Sequence, residues 1–298
     1  MWFKNLKLFQ LTSPLSFDDD ALQEQLAAMS FRPCGSQDLV TMGWTSPFPK
    51  SEILFHKVDQ RYWFSLKKQE RLLPAAVINA ELAEKVAQIE ADTGAPVSKK
   101  AQTDLKQEIV MRLLPQAFTK NSFVQGFVCT LTNVVVVDTS SDGSAEAFLA
   151  SLRKCIGSLP VVPFAKSTQQ ALLTDWVMKD APANVELLDE AEFKSPAEDG
   201  AVIRCKAQDL DAPEMLAHLQ NGMLVQKLAI AWNERLTCLL CEDLSIKRLK
   251  FTDIVKEENQ DVPKDEVNAR LDADFTLMSA EVVEFTTALK SMFSLDAE

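Results

Sequence analysis

The feature that most constrains the fold is a change of apolar period in the first half of the chain. From Ala75 onward, Val77, Ile78, Leu82, Val86 and Ile89 recur at helical spacing; Gly94-Ala95-Pro96 interrupts; then Ala101, Leu105, Ile109 and Leu113 recur at four-residue steps. Two amphipathic helices joined by a tight turn make an αα-hairpin, each arm roughly 17 residues and about 25 Å long. Pro115 ends it, because proline cannot donate to a continuing helix. On either side the pattern returns to alternation and short apolar runs. Strands are expected at Trp2–Leu11, Ile53–Val58 and Tyr62–Lys67 before the hairpin, and at Ser122–Thr130 and Asn133–Asp138 after it. A strand-rich body must therefore carry a projecting helical arm.

The remaining segments fill in an α+β plan with mixed or antiparallel sheets and inserted helices. Asp18-Asp19-Asp20 opens a helix through Met29, with carboxylates where the positive end of the helix dipole favours them. Phe31 to Trp44, with Pro33, Gly35 and Gly43, reads as loop. A helix from Ser144 to Ile156 is followed by Gly157-Ser-Leu-Pro160-Val-Val-Pro163, an extended linker and the best candidate boundary. Beyond it come a helix around Ala171–Met178, an acidic segment Glu186–Asp199, a strand at Ala201–Lys206 and a helix at Pro213–Asn221. Strands follow at Val225–Trp232, Arg235–Cys241 and Ser245–Phe251. A polar loop is expected over Glu257–Glu266, an extended piece at Phe275–Met278, and a last helix at Ala280–Met292. This divides the chain into a central β-rich domain (1–74 and 116–160), the arm (75–115) and a C-terminal α+β base (161–298).

Residue chemistry narrows the function classes. The two histidines, His56 and His218, stand in no HExxH-like pattern, and with so few, Ser-His-Asp and Cys-His catalysis have little material. Eight glycines include neither GxGxxG nor GxxxxGK[ST]. Cys238-Leu-Leu-Cys241 lies in a strand-like run, where residues three apart face opposite ways, so it reads as small buried residues rather than a redox motif. No second cysteine pair completes a zinc site, and no run reaches the ~18 apolar residues that span a bilayer. Scattered cysteines without a signal peptide indicate a cytosolic chain with reduced thiols, no cofactor and no metal. Asp272 and Asp274, alternate positions on an expected strand, are the one carboxylate pair that could share a divalent cation.

The net charge of −12 is uneven: residues 1–115 balance 14 basic against 14 acidic groups, and residues 116–298 set 17 against 29. An acidic total is unusual for a nucleic-acid binder, so any such role needs a local basic surface. Candidates are Lys67-Lys68 with Arg71 before the arm, Lys99-Lys100 with Lys106 at the start of its second helix, Arg204 and Lys206 in one strand, and Lys247-Arg248-Leu249-Lys250 in another. Arg204 and Lys206 share a strand face, as do Arg248 and Lys250, whereas Lys247 goes with Leu249 on the other. Paired cations on two strands can hold a phosphate backbone without reading sequence.

Several motifs, in order, resemble one family. They are Trp2-Phe3-Lys4-Asn5-Leu6, Pro33-Cys-Gly-Ser-Gln-Asp38, Met42-Gly-Trp44, Leu113-Leu-Pro-Gln-Ala-Phe118, Leu152-Arg-Lys154, Gly157–Pro163, Leu173-Thr-Asp-Trp-Val177, Leu187–Glu192, Val202-Ile-Arg-Cys-Lys206, Lys247–Phe251 and Leu271-Asp-Ala-Asp-Phe275. The ordered set covers essentially the whole chain and resembles the RdgC family. That resemblance implies horseshoe-shaped subunits closing into a ring homodimer around a basic hole, and binding of double- and single-stranded DNA with little sequence preference. It also implies restraint of the bacterial strand-exchange recombinase, a nucleoid location and no enzymatic activity. Phe118 matches an aromatic at one family dimer contact, and Ala207-Gln208 matches a basic-then-Gln pair linked to DNA contact, leaving Lys206 as the neighbouring cation. Where the family tends to carry arginines and lysines at the arm tip, this chain has Thr93-Gly-Ala-Pro-Val-Ser98, and Gln116 stands where arginine is common. The expected DNA contacts are therefore Lys99, Lys100, Arg204, Lys206, Gln208, Lys247, Arg248 and Lys250. Two other classes stand beside the clamp: a scaffold binding the recombinase directly through an acidic face, and a metal-dependent nuclease using Asp272 and Asp274.

Overall fold

A computed structural model describes residues 2–197, 200–259, 263 and 266–295. In chain order the elements are β1 Leu6–Leu11, α1 Asp19–Ala27, β2 Val40–Thr45, β3 Phe55–Val58, β4 Arg61–Arg71, α2 Ala75–Thr93, α3 Lys99–Leu113, β5 Thr119–Cys129, β6 Val134–Asp138 and α4 Asp142–Ile156. They continue with β7 Val161–Pro163, α5 Gln170–Met178, β8 Val185–Lys194, β9 Val202–Lys206, α6 Pro213–Gln220, β10 Leu224–Trp232, β11 Leu236–Cys241, β12 Ile246–Phe251, α7 Asp253–Glu257 and α8 Val267–Met292. The strands make one twelve-stranded sheet in the order β2-β4-β5-β6-β1-β12-β11-β10-β8-β9, with β3 added to β4 and β7 to β1. All these pairings are antiparallel. The α+β reading holds. Among the described residues no helix is long and apolar enough to cross a membrane.

The arm forms where the helical period places it. Gly94, at φ 65°, closes α2 and sends its N–H to the Glu90 carbonyl, a left-handed cap that only glycine adopts without strain. Ser98 caps α3 by accepting from the Ala101 N–H. Ile78 and Ile109 are buried near the arm's base, and Lys85–Glu108 and Arg112–Glu81 ion pairs link its helices. Most of the arm is exposed.

Alternation along the strands decides how the two sheet faces are covered. On one face, Trp63, Phe127, Val134 and Val136 join Leu228, Ile230, Trp232, Cys238 and Leu240 in a continuous core under α5 and α8. On the other face, Phe64, Leu66, Val128, Val135 and Val137 pack beneath α1 and α4. Gly126 is required there: a Cβ would stand 2.6 Å from the Val136 carbonyl oxygen and 2.9 Å from the Phe148 ring that α4 lowers onto β5. That second cover stops short of β8–β12, whose outer residues Ala229 and Leu239 belong to neither core cluster.

The two halves of the sheet meet at a narrow seam. β1 and β12 share one register pair, Leu6↔Ile246, extended by the Leu249 N–H to the Lys4 carbonyl at 2.8 Å. α8 straddles it. Its Phe275 stacks on Trp63 at 4.9 Å and Phe285 packs on Trp232 at 5.1 Å, one contact on each half.

Several local expectations are corrected. The Phe31–Trp44 stretch contains strand β2, whose Val40, Met42 and Trp44 alternate despite the glycines around them. The acidic Glu186–Asp199 segment is mostly strand β8, hidden by its polar outer residues; Glu198 and Asp199 lie outside the described residues. The Gly157–Pro163 linker ends in β7, which pairs with β1. Much of the polar Glu257–Glu266 loop lies outside the described residues, and its first residue ends α7. Phe275–Met278 is not extended: α8 runs unbroken from Val267.

Candidate nucleic-acid interface

The outer face of β8–β12 collects the strand cations. β9 exposes Arg204 and Lys206 at alternate positions, as the sequence pattern requires. Across the strands, Arg204 stands opposite Glu192, Glu192 opposite Lys227, and Lys206 opposite Glu190. β12 differs from expectation. Lys250 pairs with Thr237 and Lys247 with Leu239, so two residues of β12, Arg248 and Leu249, oppose one of β11, Cys238. This bulge turns Lys247 onto the same face as Lys250 instead of leaving it beside the buried Leu249.

Arg248 sits at the bulge with φ 53°, a conformation that costs an arginine on the order of 1 kcal/mol. Its N–H is caught by the Asn5 side-chain carbonyl at 3.2 Å, and its guanidinium reaches Glu190 at 2.8 Å. Arg248 and Lys250 both line a shallow hollow floored by Ala229, Thr237 and Leu239. The face thus holds seven cations, Lys194, Arg204, Lys206, Lys227, Lys247, Arg248 and Lys250, against three glutamates, Glu186, Glu190 and Glu192, with Asp189 lining the hollow beside Arg248 and Lys250. It is net positive on a chain whose total is −12.

The glutamates are engaged. Glu192 takes Lys227 at 2.6 Å and Arg204 at 2.7 Å. Burial pushes its carboxyl up, but the hydrogen bonds from Lys227 and Arg204 outweigh that and leave it below the usual carboxylate range. The Arg248 hydrogen bond does the same to Glu190. Both cations of β9 stay largely open, at 73% and 71% side-chain exposure. Lys247 and Lys250 have no ion pair among the described residues.

The other expected contacts lie elsewhere. Gln208 is half-buried just past β9, its N–H on the Asp189 carbonyl at 3.2 Å, in a cleft that also holds Asp180, Asp209 and Asp211. Lys99 and Lys100 are exposed in the first turn of α3, at the opposite end of the sheet order from β9. Cations at a helix N-terminus oppose the macrodipole by about 0.3–1 kcal/mol each, so helix stability does not explain them. Phe118, 84% exposed, follows the arm, with its carbonyl tied to the Leu72 N–H at 2.7 Å.

Asp272 and Asp274 do not meet. On α8 residues two apart point to different sides: Asp272 takes His56 at 2.7 Å, and Asp274 accepts from Asn259 at 3.1 Å. No group of three or more metal-ligating side chains gathers among the described residues. Cys238 and Cys241 lie in strand β11, and burial pushes both thiols up, so neither is the low-pKa thiolate of a redox motif. Sequence reasoning missed Lys227, Glu190 and Glu192. The alternation of glutamates along β8 was the available signal, masked because the segment looked like a solvated acidic run.

Fold and face together define an α+β protein with a two-helix arm and an open sheet face that concentrates positive charge on an acidic chain. The chain belongs to the RdgC family: the family model described as "Putative exonuclease, RdgC" matches residues 1–295. It is 56% identical to the recombination-associated protein RdgC of Pseudoalteromonas atlantica over 100% of this chain and 99% of that one. It is 44% identical to the protein of the same name from Tolumonas auensis, with 97% of each covered, and 41% identical to that of Psychromonas ingrahamii, with 98% of each covered.

Proposed function

We propose that this chain is a sequence-non-specific DNA-binding protein, for double and single strands, that acts in recombination. Its homodimer encircles DNA as a ring and limits recombinase-promoted strand exchange, working in the cytoplasm at the nucleoid. The observation that carries this reading is the net-positive β8–β12 face on an acidic molecule. Strand cations spaced along a flat surface suit phosphates, which are uniform, rather than base edges, which are not. Two copies would double every cation around an enclosed strand. Phe118 would anchor one contact between subunits; what supports this is a large exposed aromatic at the base of the arm whose carbonyl is held by the Leu72 N–H. Lys99 and Lys100 would contact DNA from the arm, and Gln208 from the end of β9.

The family description mentions an exonuclease, and the relatives' names do not. The carboxylate pair on which a metal-nuclease reading rested is split between two separate partners, so the geometry favours binding over hydrolysis. The test is fluorescence anisotropy with two duplexes and one single strand of unrelated sequence. Similar affinities that fall steeply between about 50 and 200 mM salt are expected. A strong preference for one sequence, or unchanged binding by an Arg204→Ala/Arg248→Ala/Lys250→Ala variant, would refute the reading.

A further inference from the structure

We propose that Glu190 and Glu192 are resident counter-ions of the β8–β12 face, standing where phosphate oxygens go, so that DNA binds there by displacing them. This rests on the DNA-binding reading above and adds a control on its strength. The two residues alternate along β8 and present both carboxylates to the cations of the neighbouring strands. Glu192 receives one cation on each oxygen: Lys227 Nζ on Oε1 at 2.6 Å and Arg204 Nε on Oε2 at 2.7 Å. A phosphate held between the same two groups would use two of its oxygens in the same way. Glu190 Oε1 takes Arg248 at 2.8 Å from one side and approaches Lys206 at 3.9 Å from the other.

The sheet itself does not require these residues. Glutamate is disfavoured in strands, and a neutral β-branched residue would suit an outward position better. What the glutamates do is pair with four of the face's cations, while Lys247 and Lys250 have no ion pair among the described residues. Their hydrogen bonds hold both carboxyls ionised at neutral pH, so the competition persists under ordinary conditions. A phosphate arriving on Arg204 or Arg248 exchanges one anion for another. The counter-ion release that drives DNA binding is then partly cancelled. The face would hold DNA weakly and release it readily, which suits a protein that must slide or yield to other proteins.

The experiment measures anisotropy of the full-length protein on an unrelated duplex across a salt series. Each phosphate contact contributes about 0.9 to the slope of log affinity against log salt, or roughly eightfold in affinity near 0.1 M salt. Glu190→Gln and Glu192→Gln are therefore each expected to tighten binding roughly five- to tenfold and to steepen the slope, while Arg204→Ala and Arg248→Ala weaken it. If the arginine variants weaken binding but both glutamine variants bind as wild type or worse, the glutamates are anchors for the cations. The counter-ion proposal then fails and the DNA-face reading survives. If neither set changes binding, DNA does not use this face and both fail. Thermal melting reports the fold of every variant. Should Glu192→Gln melt early, Glu190→Gln carries the test, since its carboxylate is the more exposed of the two.

Discussion

Truncating Phe275 to alanine tests whether α8 is what fastens the two halves of the sheet. Phe275 is 1% exposed, stacks on Trp63 at 4.9 Å and 13°, and meets Phe127 edge-on at 5.9 Å. Both partners lie on the β4–β5 half, whereas Phe285, Val282 and Leu289 of the same helix are in the shared core that includes Trp232 and Leu236 on β10–β11. Removing a buried phenyl ring costs about 3–5 kcal/mol, of which two aromatic pairings contribute roughly 0.5–1.5 kcal/mol each. The seam itself offers little to compensate, with one register pair between β1 and β12. The expected loss is about 4 kcal/mol. For an m-value of ~3 kcal/mol per M, the urea midpoint should fall by somewhat more than 1 M. Equilibrium unfolding followed by circular dichroism and by tryptophan fluorescence gives the number. In the variant the fluorescence transition should broaden away from the circular-dichroism one, because Trp44 and Trp63 sit on the half that loses its contact and Trp176 and Trp232 on the other. A loss below about 1 kcal/mol, with coincident transitions, would refute the view that α8 carries the seam.

Lys99→Gln with Lys100→Gln should leave the melting temperature unchanged or slightly higher, by relieving the α3 dipole, while reducing the salt slope of DNA binding by up to about 2 units; an unchanged slope would remove the arm tip from the interface. Phe118→Ala should alter unfolding free energy by less than about 0.5 kcal/mol, because the side chain is 84% exposed, yet shift sedimentation equilibrium toward monomer; unaltered association would exclude it as an anchor. Burial pushes the Asp138 carboxyl up, against backbone N–H donors from Asn5 and Lys4. Between its ordinary and its raised value the folded protein keeps a proton that the unfolded chain has released, so this group's contribution to stability falls as pH rises through that window. Asp138→Asn, which keeps an acceptor for both N–H groups, should be at least as stable as wild type in urea at pH 7; a loss above about 1 kcal/mol would contradict the assignment.

The sequence determined the elements whose period is strong and whose ends are marked. The arm was legible because helical spacing runs on both sides of Gly94, which marks the turn, and Pro115 marks the end of the second helix. The strands at β4–β6 and β10–β12 were legible because their apolar and β-branched runs are dense, and the shared face of Arg204 and Lys206 followed from the alternation of β9. Where polar residues lie on the outer side of a strand, as in β8, or a glycine interrupts it, as Gly43 does in β2, local pattern imitates loop. Only pairing with neighbours reveals the strand. The aspartates of α8 looked extended for a similar reason: helical pairing to His56 and Asn259 lies far away in sequence or across a turn.

Tertiary structure decided how the site is assembled. The bulge that brings Lys247 onto the face of Lys250 depends on register with β11 and on Asn5 from the far end of the chain. The joining of Glu190 and Glu192 to cations on three other strands depends on strand order, which no local pattern encodes. Charge composition counts residues without saying which are neighbours, and interaction between charges falls with distance. An acidic sequence can therefore fold into a molecule with one positive face, and the sheet order decides where that face lies.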